Sequence, residues 1–290
     1  MSYKAYIRVK LSKEFKRIAS IVINSDVATV CEESFCPNIL ECWSRGSVTF
    51  MVLGDVCTRN CLFCSVKKGR AKQPDPLEPY RIARAVKELN LRYVTITSVS
   101  RDDLIDGGAS HIAKVIKEIK HLNPNIIIEV LIPDFKGDLN SLKTIIDTHP
   151  HVISHNVEVV ERLTPMIRDK RASYKQSLYV LKKIKELQPN IITKSSLILG
   201  LGESFDEVIK TMNDLRNVNC DILVLSQYFR PTPKQVPVAK LISIDEFKRL
   251  EKIGYKLGFK AVVAHPLART SYKAEWAYNQ VMRRWCYGSP

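Results

Sequence analysis

The chain has 290 residues, of which 45% are hydrophobic, and this is enough to build one large domain or two small ones. Its net charge of +15 is spread along the chain, so a solvated basic surface explains this charge more simply than nucleic-acid binding does. The same charge would also attract an acidic protein partner or a small anion. No apolar run approaches the ~18–20 residues of a membrane span, and the N-terminus lacks the apolar core of a secretory signal. We therefore expect a cytoplasmic protein that uses neither membrane nor nucleic acid.

Short β-rich runs alternate with longer amphipathic segments along most of the chain. The predicted strands are residues 48–55, 92–99, 126–132, 151–158, 193–200 and 222–229. The predicted helices are residues 78–90, 108–122, 139–149, 174–188 and 204–217, and Ser204 with Glu207 is a candidate capping box. Several strands are apolar almost throughout, which is typical of strands buried on both faces of a parallel sheet. The alternation predicts a parallel α/β fold, a complete or partial barrel, with its chemical groups at the carboxyl ends of the strands.

Six of the eight cysteines fall between residues 31 and 64, and they form two groups of three. Cys31, Cys36 and Cys42 are spaced C-x4-C-x5-C, upstream of the first predicted strand. We call them the first triad. A dense cysteine cluster in a chain without a secretory signal favours metal binding over disulfides.

The second triad follows the first strand directly. Cys57, Cys61 and Cys64 are spaced C-x3-C-x2-C, and three thiolates on one short loop can hold three irons of a [4Fe–4S] cube. The fourth iron would then remain open to a ligand, as the open position of a catalytic zinc does. A zinc site is the alternative, although zinc usually takes four ligands and no histidine lies near this loop.

The second triad, with Phe63 just before its last cysteine, resembles the radical S-adenosylmethionine superfamily. The presence of both triads resembles the lipoyl synthases within that superfamily. Further stretches support this resemblance, among them residues 30–43, 50–64, 92–111, 128–135, 155–160, 193–203, 222–231, 246–259 and 266–275. Together they extend over essentially the whole chain.

This resemblance implies a partial (β/α)6 TIM-like barrel of the radical S-adenosylmethionine type at residues 47–265. Residues 1–46 would be an N-terminal extension that carries the first triad. Residues 266–290 would be a C-terminal extension that carries an auxiliary-cluster serine.

The resemblance also assigns ligands and cofactors. The second triad would bind the radical-generating [4Fe–4S] cluster, whose open iron takes S-adenosylmethionine. The first triad, with the serine of an Arg-Ser-Ser-Tyr motif, would bind an auxiliary [4Fe–4S] cluster that donates sulfur. Here the motif reads Arg269-Thr270-Ser271-Tyr272, and we assign the ligand to Ser271. If position 270 supplied the ligand instead, a threonine hydroxyl would have to serve.

Other residues are assigned to S-adenosylmethionine with less support from their positions. The candidates are Phe63, Thr97, Ser98, Asn156, Gly200, Gly202 and Glu203. Glycines at a strand end let backbone approach a ligand, but they are equally typical of a strand-to-helix turn. The polar residues could likewise be turn formers. Asp102 and Asp103 could fix the loop after the second strand, although helix capping is the simpler interpretation.

The implied reaction is radical insertion of two sulfur atoms, at C6 and C8 of an octanoyl group on a lysine of a lipoyl carrier protein. The carrier would be a glycine cleavage H protein or the lipoyl domain of a 2-oxoacid dehydrogenase. A ferredoxin or flavodoxin would supply electrons. The alternatives are another two-cluster radical enzyme, such as a methylthiotransferase, or a basic iron–sulfur or zinc protein that binds nucleic acid without catalysis. The barrel pattern after Cys64 argues against the second.

Overall fold

The computed structural model describes residues 11–287, so residues 1–10 and 288–290 of the two predicted extensions lie outside it. Its strands are β1 (Ala28–Thr29), β2 (Thr49–Val52), β3 (Val56–Cys57), β4 (Lys67–Lys68), β5 (Tyr93–Ser98), β6 (Ile127–Leu131), β7 (Val152–Ser154), β8 (Ile192–Leu199), β9 (Ile222–Gln227) and β10 (Ala261–Ala264). All six predicted strands are present, although several are shorter than the apolar runs that predicted them.

Eight strands form one sheet in the order β1-β2-β5-β6-β7-β8-β9-β10. From β2 to β10 every neighbouring pair is parallel, whereas β1 pairs antiparallel with β2. The sheet ends at β1 on one side and β10 on the other, so it is the predicted partial barrel. It has one parallel strand more than predicted, because the four-residue run of β10 is too short to stand out from the sequence. Strands β3 and β4 pair separately, beside the cysteine loop.

The helices are α1 (Lys13–Asn24), α2 (Val30–Glu33), α3 (Ile39–Ser44), α4 (Glu78–Glu88), α5 (Ala109–Leu122), α6 (Leu139–Ile146), α7 (Thr164–Ile167), α8 (Tyr174–Leu187), α9 (Phe205–Asn217), α10 (Ile244–Lys256) and α11 (Ala274–Tyr287). The five predicted helices correspond to α4, α5, α6, α8 and α9. The predicted capping box is formed: the Ser204 hydroxyl accepts from the Glu207 backbone, and the Glu207 carboxylate accepts from the Ser204 backbone. It gives α9 a defined start.

The two faces of the sheet differ in polarity. One face packs apolar side chains such as Ile96 and Val130 against Ile112 and Ile116 of α5, so burial of this face attaches the helices. The opposite face carries polar groups, including the fully buried Lys194, whose ammonium bonds both carboxylate oxygens of Glu129 at 2.8 and 3.0 Å. A buried charge needs such a partner.

The segments at the two ends of the barrel meet each other. Asn38, between α2 and α3, donates its side-chain amide to the backbone oxygen of Leu267 over 2.5 Å. The Tyr272 hydroxyl donates to Glu41 over 3.2 Å. The segment after β10 is thereby fixed beside the segment that carries the first triad, and both lie next to β2.

Candidate functional site

The second triad lies on the loop that leaves the carboxyl end of β2. Each of its sulfurs accepts a backbone N–H: Cys57 from Arg59 and Cys61 from Asp169, both over 3.4 Å, and Cys64 from Val66. Such donors stabilise thiolate sulfur and tune the metal centre that it binds. The loop is therefore shaped around three sulfurs that act as acceptors.

An arginine inside the triad fastens this loop to two neighbouring strand ends. Arg59 is 5% exposed, and its guanidinium bonds Asp102 at 2.8 and 2.9 Å and Asp134 at 2.6 and 2.7 Å. Asp102 follows β5, and Asp134 follows β6. Burial alone would raise the pKa of Asp134, but the hydrogen bonds and charge of Arg59 outweigh it and hold this pKa at about 2. Two carboxylates and one guanidinium in bidentate geometry make a rigid anchor.

A third anchor comes from the segment after α7. The Asp169 carboxylate accepts the backbone N–H of Asn60 over 2.7 Å, while its own backbone N–H reaches the Cys61 sulfur. Arg171 pairs with Asp169 at 2.7 Å, and the hydrogen bond from Arg171 holds the pKa of Asp169 well below its usual range. Loops after β5, β6 and β7 thus converge on one triad.

Sequence reasoning did not find Arg59, Asp134 or Asp169. The proposed role of Asp102 in fixing a loop matches its contacts, because it binds Arg59 and Thr58 of the cysteine loop. Helix α5 is capped instead by Asp106, whose carboxylate accepts from the backbones of Gly108 and Ser110. The position of Arg59 between two predicted ligand cysteines could have drawn attention to it, but the sequence does not show which carboxylates it binds.

The first triad lies under the β1–β2 edge. Burial raises the pKa of the Cys31 thiol to about 11 and that of the Cys42 thiol to about 12, and Cys36 lies close enough to both to add to these shifts. Burial likewise raises the pKa of Cys64 to about 12 in the second triad. Thiols in such surroundings remain protonated unless a cationic metal centre stabilises the thiolate.

Ser271 lies beside the first triad. The Thr49 hydroxyl donates to the Ser271 hydroxyl over 2.8 Å, and the Thr49 backbone N–H is directed at the Cys31 thiol. One residue of β2 therefore contacts both the serine and a cysteine that are 240 positions apart by their numbers, 31 and 271. Trp43 adds a donor here, since its buried Nε1 lies against Cys31 and has no hydrogen-bond partner among residues 11–287.

A cavity of about 230 Å³ opens next to the second triad. Its walls include all three cysteines of that triad and four of the seven candidate cofactor residues, Phe63, Thr97, Ser98 and Asn156. Val30 and Met51, which flank the first triad, also line it. The cavity therefore lies between the two cysteine groups.

Three buried polar atoms of residues in this wall have no partner among the described residues. They are the Ser98 hydroxyl, the Asn156 side-chain oxygen and the Arg168 Nε. Asn156 uses its amide nitrogen on Glu158 (3.1 Å) and Thr270 (2.9 Å), so the oxygen is left as an acceptor. Since buried polar groups are normally satisfied, the cavity fits a polar ligand with a hydrogen-bond donor, and S-adenosylmethionine has both amino and hydroxyl donors.

The remaining three candidates lie apart from this wall and contact the protein itself. Glu203 accepts the backbone N–H groups of Gly200 (2.5 Å) and Leu201 (3.0 Å). Gly200 has φ of +97°, and a Cβ there would lie 2.3 Å from the Gln227 amide and 2.4 Å from the Lys240 oxygen. Gly202 also has a positive φ. These contacts explain the two glycines and the glutamate as a tight turn after β8.

The cavity has polar walls that the sequence did not indicate. His155 is buried, with Nδ1 at 3.0 Å from the Ile132 oxygen and Nε2 at 3.0 Å from the Ser177 hydroxyl. Burial lowers the pKa of His155 to about 4, and it raises the pKa of Glu158. Arg168 donates to Ser177 over 2.9 Å and also faces the cavity. These three follow β7; residues 155–160 support the family resemblance in the sequence, but no role was predicted for His155 or Glu158.

Among the side chains that the structure describes, no three histidines, cysteines or acidic residues are placed to hold one metal ion. No helix within the described residues is long and apolar enough to span a bilayer.

Comparisons with known proteins show which family the chain belongs to. The radical SAM superfamily model matches residues 51–215. A lipoyl synthase of Sulfolobus acidocaldarius is 53% identical over 279 residues, covering 96% of each chain. A lipoyl synthase of Thermus thermophilus is 47% identical, covering 97% of this chain and 88% of its own. One from Aquifex aeolicus is 54% identical, covering 89% and 93%.

Solved structures share the fold at low identity. The FeFe-hydrogenase maturase HydG from Carboxydothermus hydrogenoformans matches with a TM-score of 0.61 at 12% identity, covering 93% of this chain and 69% of its own. Methylornithine synthase (PylB) matches with a TM-score of 0.55 at 12% identity, covering 88% and 79%.

Proposed function

Because this chain belongs to the lipoyl synthase family of the radical S-adenosylmethionine superfamily, we propose that its two cysteine triads divide the work of one reaction. The enzyme inserts two sulfur atoms, at C6 and C8 of an octanoyl group carried on a protein lysine. When bound, S-adenosylmethionine and two [4Fe–4S] clusters supply the radical chemistry and the sulfur.

We assign the radical-generating cluster to Cys57, Cys61 and Cys64. The single observation that carries this assignment is the cavity beside these cysteines, whose wall also holds the unpartnered Ser98 and Asn156 side-chain atoms. The Arg59 and Asp169 anchors hold the loop in place during turnover. Phe63 and Thr97 complete this wall, and the enclosure limits access of water to the reacting groups.

We assign the auxiliary cluster to Cys31, Cys36, Cys42 and Ser271. The support is the position of the Ser271 hydroxyl, which Thr49 holds beside Cys31, together with the unpartnered Trp43 Nε1 at the same thiol. A hydroxyl binds a soft cluster more weakly than a thiolate does, and a weak ligand suits a cluster that must give up sulfur. Gly200, Gly202 and Glu203 remain proposed as cofactor contacts on the resemblance alone.

The same placement supports the division into an N-terminal extension (1–46), a barrel (47–265) and a C-terminal extension (266–290). The two extensions contact each other through Asn38 and Tyr272, and both pack beside β2. We propose that the extensions form the auxiliary site while the barrel forms the radical site. The carrier would be a glycine cleavage H protein or a 2-oxoacid dehydrogenase lipoyl domain, and a ferredoxin or flavodoxin would donate electrons in the cytoplasm.

The decisive experiment incubates anaerobically reconstituted protein with an octanoylated carrier, S-adenosylmethionine and a reductant. Mass spectrometry is expected to show two added sulfur atoms on the carrier, and chromatography should detect 5′-deoxyadenosine. Cys31→Ala should abolish sulfur addition while S-adenosylmethionine cleavage continues. Cys57→Ala should abolish both. Protein that binds only one cube's worth of iron and sulfide would contradict the division of the triads.

A further inference from the structure

We propose that the rim of the cavity is a docking surface for the folded body of the carrier, and that it recognises acidic side chains around the acylated lysine. This inference rests on the proposed function and names the part of the enzyme that selects its protein substrate. We call this rim the mouth surface. It comprises the exposed apolar residues Phe35, Leu62, Met166 and Phe229, and the basic residues Lys68, Lys170, Arg230 and Lys234.

Hydrogen bonds tie these residues into one continuous surface around the second triad. Leu62 accepts the backbone N–H of Val236 over 3.2 Å and donates its own to Ile167, the neighbour of Met166, over 2.8 Å. Gln235 donates to the backbone oxygen of Cys64 over 3.2 Å, so the 230–236 loop borders the triad. Lys68 donates to the backbone oxygen of Cys61 over 2.9 Å. Lys170 directly follows Asp169, which bonds Asn60.

The remaining apolar residues lie on the side toward the first triad. Phe35 and Phe229 line a second cavity of about 300 Å³ together with Phe63, Cys64 and Arg230. Phe35 is 68% exposed and Met166 is 61% exposed. Exposed apolar side chains clustered at the opening of a site are typical of an interaction surface.

The positive charge of the mouth surface indicates a partner with acidic side chains. Within residues 11–287, Lys68, Lys170, Arg230 and Lys234 form no ion pair with a carboxylate. A basic rim around apolar contacts fits a partner that presents carboxylates around an apolar centre. The chain's net charge of +15 adds long-range attraction for such a partner.

The size of the cavity decides which part of the partner enters. A volume of about 230 Å³ admits no folded domain. When the octanoyl group reaches the second triad, the body of the carrier must therefore remain outside. It then lies against the mouth surface, which borders the second triad.

The test compares two substrates on the reconstituted full chain: an octanoylated carrier domain, and a short octanoyl-lysyl peptide with neutral flanking residues. The variant combines Lys170→Glu with Lys234→Glu, and the matched control combines Lys252→Glu with Lys256→Glu on the exposed face of α10, so both proteins lose the same net charge. Reversing two rim charges should raise the KM for the carrier domain about tenfold or more, while the KM for the peptide changes by less than about twofold. The difference should shrink as salt rises to about 0.5 M.

Affinity for the unmodified carrier domain, measured by fluorescence anisotropy, tests docking without turnover. It should fall by about the same factor in the double variant and remain unchanged in the control. An equal loss with both substrates, an equal effect of the control variant, or an unchanged affinity would overturn the inference. Wild-type protein that binds the carrier but adds no sulfur would contradict the proposed function instead.

Discussion

The side-chain amide of Asn156 donates a hydrogen bond to the hydroxyl of Thr270 over 2.9 Å, which connects the cavity wall to the C-terminal Arg-Thr-Ser-Tyr motif. The same amide nitrogen also donates to Glu158, so the side-chain oxygen of Asn156 is the atom left to accept a hydrogen bond in the cavity. A residue next to the proposed auxiliary-cluster serine thereby orients a group in the proposed S-adenosylmethionine site. The two cluster regions are thus in direct contact through one pair of side chains.

Thr270→Val keeps the shape of this side chain and removes its hydroxyl. The Asn156 amide then loses one acceptor and is free to rotate, so affinity for S-adenosylmethionine should fall about fivefold, the usual cost of one hydrogen bond. Thr270→Ser keeps the hydroxyl and should remain within about twofold of wild type. Calorimetric titration of S-adenosylmethionine into the reconstituted protein measures both. Equal affinities for the Val and Ser variants would show that the bond has no positioning role.

Arg59→Ala removes the cation that two carboxylates share. Asp134 is then left buried and unpaired, and loss of one partner from a buried ion pair costs about 3–5 kcal/mol of unfolding free energy. Urea denaturation of the iron-free chain measures this cost. Arg162→Ala is the matched control, because Arg162 forms a solvent-exposed pair with Glu207 that should contribute little to stability. A similar loss in both variants would contradict the anchoring role of Arg59.

Ser271→Ala removes the proposed oxygen ligand but leaves all six cysteines of the triads. Sulfur addition to the carrier should fall by at least about tenfold, because an oriented ligand is lost, while S-adenosylmethionine cleavage continues. Mössbauer spectra should show altered signals from about half of the iron. If Thr270 were the ligand, this variant would keep the wild-type spectrum and activity, and Thr270→Val would change both.

Folding stability should depend on pH through His155. Its pKa is lowered to about 4 by burial, whereas an unfolded histidine has a pKa near 6.5, so the unfolded chain binds a proton first as pH falls. Stability should therefore decrease from about pH 6.5 toward pH 4, by up to about 1.4 kcal/mol per pH unit from this residue. Urea denaturation of the iron-free chain between pH 7 and 5 measures the slope. His155→Gln should flatten it, and a Gln variant of the exposed His121 should not.

The helices and strands that have a regular hydrophobic pattern could be predicted from the sequence. Six strands and five helices between residues 49 and 227 follow from hydrophobic period, and the capping box follows from the Ser204–Glu207 spacing. The short elements β3, β4 and α7 in the same range were not predicted, nor were the helices α1, α10 and α11 or the last strand. In β10, four small or branched residues are too few to show a period.

The anchors of the site depend on contacts between distant positions. Arg59 and Asp134 are 75 residues apart, and no local pattern distinguishes that aspartate from others at strand ends. The cysteines of the second triad could be identified because all three lie within eight consecutive positions, 57–64. The residues that hold those cysteines in place can be identified only in the folded structure, where the carboxyl ends of neighbouring parallel strands lie side by side.

The contact between Thr49 and Ser271 joins positions that are 222 residues apart. During translation, the ribosome therefore makes the three cysteines of the first triad long before the serine that lies with them. On the proposed ligand set, a nascent chain has no complete four-ligand site at that stage, however well its early segments fold. A fully ligated auxiliary cluster would therefore require a chain whose final segment has already docked against its first.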